Sequence, residues 1–193
     1  MKSKHIWELM INPFTRIAGW QAFGLGLVFV VLTGIIGTYG NIIFDGVLDM
    51  HTGGKMTLIC SFIILGIDIL SIVAVMSIVG MITSRNFRFI DILGTMTLAR
   101  APFLLLAIAG FFTVSPDLSQ VTTNPYIIFC SPTFVMLICL AMPVVVWNIT
   151  LLYNALKVSC DIKGSKLTVA FIIGIFVSEV ISKLLIYIIT KNL

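Results

Sequence analysis

Runs of mostly apolar residues recur five times along the chain, each closed by a short polar stretch: Trp20–Tyr39, Leu58–Ile82, Asp91–Phe112, Pro132–Tyr153 and Leu167–Ile189. About 20 such residues are needed for an α-helix to cross a hydrocarbon layer about 30 Å thick. Backbone amides cannot stay unpaired in that layer, so each run is predicted to be helical. The period-two alternation of an outer-membrane barrel is absent. Ahead of the first run, Ile6 to Phe14 (IWELMINPF) sets Ile6, Trp7, Met10, Ile11 and Phe14 near one helix face. That pattern predicts a short interfacial helix lying on the cytoplasmic leaflet. Asn12 followed by Pro13 has the order of a cap and a first helical position, restarting the chain toward the first span. Ser131–Pro132 repeats that punctuation before the fourth span. The stretch Tyr126 to Cys130 (YIIFC) is too short to span and reads as a segment at the outer interface or dipping into the protein.

The predicted fold is therefore all-α: one polytopic membrane helix bundle over residues 1–193, with about five transmembrane helices and a short N-terminal interfacial helix. Glu8, Asn12 and Arg16 interrupt what would be a signal sequence, and no A-x-A site ends the first run, so that run reads as uncleaved.

Composition removes the soluble alternative. Of 193 residues, 59% are hydrophobic and 10% charged, against about 45–50% and about 25% in soluble domains. A chain this short cannot hide that much apolar surface in its own core. The net charge of +4 points to orientation in the bilayer rather than to nucleic acid, because the basic residues sit in short loops without interleaved aromatics. Lys2, Lys4, Arg16, Arg85, Arg88, Lys157, Lys163 and Lys166 fall on one side of the five spans, and Lys55 and Lys191 on the other. Cytoplasmic loops carry the excess of Lys and Arg, so the N-terminus is expected inside and the C-terminus outside.

Four ionisable residues fall within the runs: Asp68, Arg100, Glu179 and Lys183. Such residues are costly in lipid and face the protein interior or a water-filled cavity. At about 1.5 Å of rise per residue, Arg100 lies roughly 14 Å and Glu179 roughly 18 Å from the inner face, and Asp68 roughly 15 Å from the outer. All three converge near the midplane. The expected network pairs Asp68 with Arg100 and Glu179 with Lys183, the latter at i,i+4 with the acid N-terminal, the favoured order. It reads first as a packing and register device and second as a proton or ion pathway. A third reading has Lys183 snorkelling outward and Glu179 protonated.

Ala170, Gly174, Ser178 and Ser182 recur every four residues, a stripe that lets helix backbones approach closely. Ala22, Gly24, Gly26, Gly34 and Gly37 suggest the same for the first span. Pro102 removes the helix bond to the Leu98 carbonyl and Pro143 the bond to Cys139, predicting kinks. Cys60, Cys130, Cys139 and Cys160 show no CxxC spacing. They read as small hydrophobes, with a Cys60–Cys130 bridge near the outer face as the alternative. No HExxH, GxSxG or Walker lysine is present, Gly66-Ile-Asp68 falls short of GxGD, and Glu179–Lys183 does not match EExxxR. His5 and His51 fall on opposite sides of the membrane, and Asn148-Ile-Thr150 has glycosylation spacing inside a span. The expectation is no catalytic residue, no cofactor, no metal and no nucleic acid. The bilayer is the expected partner, with membrane proteins or a second copy as further candidates.

Phe87-Arg88-Phe89-Ile90-Asp91-Ile92-Leu93-Gly94, then Ala99-Arg100-Ala101-Pro102, together with the Asn12–Pro13 segment and five spans, resembles the Yip-type (Ypt-interacting protein) membrane domain family. The resemblance covers the layout of nearly the whole chain but the residues of that central stretch only. It implies a five-span bundle with a cytosolic N-terminus and a non-enzymatic scaffold or membrane-organising role. Eukaryotic members are linked to small-GTPase vesicle traffic and carry a longer cytosolic arm than the roughly twenty residues here. The short form looks more like prokaryotic members, which places the chain in a prokaryotic inner membrane, with an ER or Golgi membrane as the alternative. A small ion- or proton-coupled transporter or channel using the intramembrane charges is the competing function.

Overall fold

The computed structural model of the chain describes residues 8–54, 56–84, 87–113, 124, 126 and 131–191. It is an all-α bundle built from α1 (Gly19–Tyr39), α2 (Leu58–Thr83), α3 (Phe89–Ala99), α4 (Phe103–Gly110), α5 (Pro132–Cys160) and α6 (Gly164–Thr190). A two-stranded hairpin, β1 (Ile42–Ile43) with β2 (His51–Thr52), lies between α1 and α2. With α3 and α4 taken as one broken span, Phe89–Gly110, five helical segments are long and apolar enough to cross a membrane. Side chains facing away from the core, such as Val28, Leu70, Ile82, Phe176 and Leu184, are exposed and apolar, as a lipid-facing surface must be.

Local signals explain the ends. Gly19 opens α1 at φ +58°, a left-handed conformation open to glycine at little steric cost. Thr57 caps α2, its Oγ1 accepting from the Cys60 N–H at 3.3 Å. Asp161 closes α5 in the left-handed region, and the chain turns through Ile162 and Lys163 into α6. Helix α5 runs past the predicted Tyr153 to Cys160. Its last two turns carry the polar residues Asn154 and Lys157, which a search for unbroken apolar runs discards.

Helix α1 packs along α3 and α4, α2 along α6, and α5 on α3 and α4. Glycine permits the closest of these approaches. A Cβ on Gly26 would stand 2.6 Å from the Leu98 nitrogen and 2.8 Å from its Cα, and one on Gly94 would overlap the Gly19 carbonyl oxygen. Gly34 lies against Phe62 and Leu65, and Gly37 against Ile42 and Phe44. Gly24 has nothing within 4 Å, so its expected place in the packing seam is corrected: it faces outward. The stripe on α6 packs within the chain. Gly174 sits against Met76 and Val79 of α2, Ser178 and Ser182 are buried, and Ala170 is half-buried.

The third span breaks outright instead of bending. At Arg100–Pro102 the backbone shifts to i→i+3 bonds, with Ala101 N–H donating to Leu98 O at 3.0 Å and Phe103 N–H to Arg100 O at 3.0 Å. Proline lacks the donor a continuous helix needs here. Pro143, by contrast, sits inside α5 without interrupting it. At the N-terminus, residues 8–11 are helical and Pro13–Thr15 form a 3-10 turn preceded by Asn12, whose side chain makes no capping bond. Ile6 and Trp7 of the predicted interfacial helix lie outside the described residues, as do Lys2, Lys4, His5, Lys55, Arg85, residues 127–130 of the YIIFC stretch, and Cys130, the suggested partner of Cys60. The described cysteines, Cys60, Cys139 and Cys160, are free thiols.

Candidate functional site

The connection between α1 and α2 turns back into the bundle. Asn41 reverses the chain at φ +53°, strands β1 and β2 pair through Ile42↔Thr52 and Ile43↔His51, and Phe44 to Met50 form a tip directed inward. Ile42, Phe44 and Val47 are all buried, Val47 at 1% exposure. Phe44 stacks on Phe103 with centroids 5.4 Å apart, in the cluster that includes Val30, Leu65 and Leu106. Val47 reaches the other cluster, with Ile72, Met76 and Met96. One short segment thus bridges both cores.

An inserted loop brings backbone groups that no strand or helix satisfies, and burying them unpaired is costly. The intramembrane charges supply the partners. Arg100 Nη1 donates to Val47 O at 3.4 Å and Nη2 to Gly46 O at 3.3 Å. Nη2 also lies 3.3 Å from Asp68 Oδ2, with Asp68 at 0% exposure and Arg100 at 3%. Asp68 accepts a second, short hydrogen bond from Ser182 Oγ of α6. The guanidinium stands 5.2 Å from the Phe103 ring centroid, a cation–π distance. Arg100 occupies the broken stretch right after the eleven residues of α3, roughly 16 Å along the span at about 1.5 Å per residue. The loop therefore descends about half the depth of the bundle.

Glu179 and Lys183 hold the loop's other side. Glu179 Oε2 accepts the Leu48 N–H at 3.0 Å. Its Oε1 lies 3.8 Å from Lys183 Nζ, but the nearer partner of Lys183 is Asp49 of the loop, through a short charge-assisted bond. Gly46 sits so close to Glu179 that a Cβ would overlap its carboxylate. The two expected pairs are thus both present as proximities, each tied to the re-entrant segment. Asp49 was missed because an i,i+4 match on one helix satisfies Lys183 on paper; the available signal was the apolar run Ile42-Ile43-Phe44, then Val47-Leu48, in a connection too short to span.

Beside Asp49, His51 Nδ1 lies 2.6 Å from Asp45 Oδ1. Asp45, Asp49 and His51 offer ligand-type atoms within 4.8 Å of one another. That spacing suits a cation, but Asp49 already faces the Lys183 ammonium. Asn148 also acquires a role: its Nδ2 donates to Ala99 O at 2.8 Å, satisfying a carbonyl freed by the break in the third span.

Burial alone would raise the Asp49 carboxyl, but the hydrogen bonds from Lys183 and the Met50 N–H, with the nearby ammonium, outweigh it and hold the pKa below its ordinary 3.8. A carboxyl depressed on folding stabilises above its unfolded pKa, and that contribution is lost as pH falls through the folded value. Lowering pH from 5 toward 3 is therefore expected to reduce the melting temperature of the purified protein. The slope should be shallower in Asp49→Asn, and equal slopes would place the acid sensitivity elsewhere.

No family model, curated protein or solved structure matches the chain.

Proposed function

We propose that the chain is a non-enzymatic, multi-pass membrane protein that organises the bilayer or its membrane partners through a rigid helix bundle, of the Yip type that its central segment resembles. The observation that carries this reading is the sealing of the charge pair: Asp68 at 0% and Arg100 at 3% exposure direct their hydrogen bonds into the chain's own loop and helices. Groups on a conduction path must be wet at some stage; groups spent on holding a loop act as a lock. The break at Arg100–Pro102, within the stretch that carries the family resemblance, is where that lock closes. The excess of Lys and Arg at the N-terminal side supports an inner-membrane location with the N-terminus in the cytoplasm.

A second reading, a small ion- or proton-coupled transporter, draws support from Asp49, Glu179 and Lys183. Their side chains are 41%, 22% and 46% exposed and lead from the far end toward Asp68. Reconstitution separates the two. Proteoliposomes are expected to show proton, sodium and potassium flux no higher than empty vesicles. A flux abolished by Asp68→Asn or Glu179→Gln would replace the scaffold with the transporter.

A further inference from the structure

An apolar groove of about 400 Å³ runs from the N-terminal segment, at Met10 and Pro13, up between α1 and the broken third span, past Leu25, Leu98 and Pro102, with Trp147 of α5 on its opposite wall. The small side chains of the break, Ala101 and Pro102, line it beside Leu98, Leu104 and Leu105. Two hydrogen bonds strap the N-terminal segment across it: Trp147 Nε1 donates to Met10 O at 2.9 Å and Asn154 Nδ2 to Ile11 O at 3.1 Å. Met10, Leu25 and Leu105 on its rim are exposed, so the groove opens sideways, where the bilayer lies.

Charge decides what enters. The mouth lies at the end of the bundle where basic residues collect. Arg16 follows groove-lining Pro13 and immediately precedes groove-lining Ile17. Lys157, an exposed residue, stands three positions beyond Asn154 on the same face of α5. Acyl chains fill apolar grooves at this depth, and a headgroup beside two cations is favoured when it is anionic. We infer that this groove binds one anionic phospholipid, with an acyl chain against Leu25, Leu98 and Pro102 and its phosphate near Arg16 and Lys157. The inference rests on the membrane-organising reading and gives it a specific lipid partner.

Trp147 reports on the site. In the Trp7→Phe, Trp20→Phe protein, reconstituted vesicles would contain a small mole fraction of brominated phosphatidylglycerol or, in parallel, brominated phosphatidylcholine. Stronger quenching of Trp147 by the anionic lipid is expected. A basic side chain near the surface is worth roughly fivefold in affinity, so Arg16→Gln or Lys157→Gln should each weaken the preference by about that factor. Equal quenching by the two lipids would reduce the groove to ordinary annular contact, and absence of quenching by either would show that no lipid enters; both outcomes overturn the proposal. Neither bears on the flux assay, so the scaffold reading stands or falls separately.

Discussion

Arg100→Met should lower the stability of the folded bundle by roughly 3–5 kcal/mol, the typical cost of leaving one member of a buried ion pair without its partner. In detergent this corresponds to a fall in melting temperature of about 6–20 °C for a domain of this size. The loss has two parts. Asp68, fully buried, keeps only the Ser182 hydroxyl, and the Gly46 and Val47 carbonyls lose their donors. The double variant Asp68→Asn, Arg100→Met should be less damaged than the sum of its singles, because the second change removes the orphaned ion. Strict additivity would mean that the two charges do not interact in the folded state.

Gly26→Val and Gly94→Val should each cost about 3 kcal/mol or more, at or above the upper end for overpacked cores. The obstacle at both sites is backbone, which cannot rotate away. Gly26 faces the Leu98 nitrogen and Cα, and Gly94 faces the Gly19 carbonyl. Either valine would push α1 off α3 and open the wall behind the re-entrant loop. Gly24→Val is the control, since nothing lies within 4 Å of its Cβ position. Denaturation in detergent, or the yield of monodisperse protein, would register the contrast. Equal behaviour of the Gly24 and Gly26 variants would contradict the packing of α1 on α3.

The spans were legible because hydrocarbon imposes one rule, an unbroken apolar helix of fixed minimum length, and composition states that rule directly. Four of the five apolar runs are single helices, Gly19–Tyr39, Leu58–Thr83, Pro132–Cys160 and Gly164–Thr190. The third was readable in length but only partly in form. Pro102 announced a disturbance, while the full break depends on Asn148 waiting on α5 to take the Ala99 carbonyl, a contact 49 residues away in sequence. Arg100 and Asp68 were readable as partners because ions in lipid must neutralise each other and depth arithmetic leaves few choices. The re-entrant loop was readable only as a few apolar residues, Ile42 to Phe44 and Val47-Leu48, and not as a structure. Ile42 to Met50 mixes apolar residues with Asp45, Gly46 and Asp49 at no helical or strand period, and its burial follows from tertiary partners: Arg100 for its carbonyls, Glu179 for the Leu48 N–H and Lys183 for Asp49. The same long-range origin hid the true neighbour of Lys183.

The central claim is that a buried charge pair holds the first loop inside the bundle. Cysteine accessibility in intact membranes tests it most directly. In a protein with Cys60, Cys130, Cys139 and Cys160 replaced by alanine, Val47→Cys should resist a membrane-impermeant maleimide, because Val47 is buried at the loop tip, while Gly53→Cys, at the exposed hairpin end, should react readily. Adding Arg100→Met should expose the Val47→Cys thiol to the reagent. Equal labelling of Val47→Cys and Gly53→Cys with Arg100 intact would place the loop outside the bundle and contradict the account.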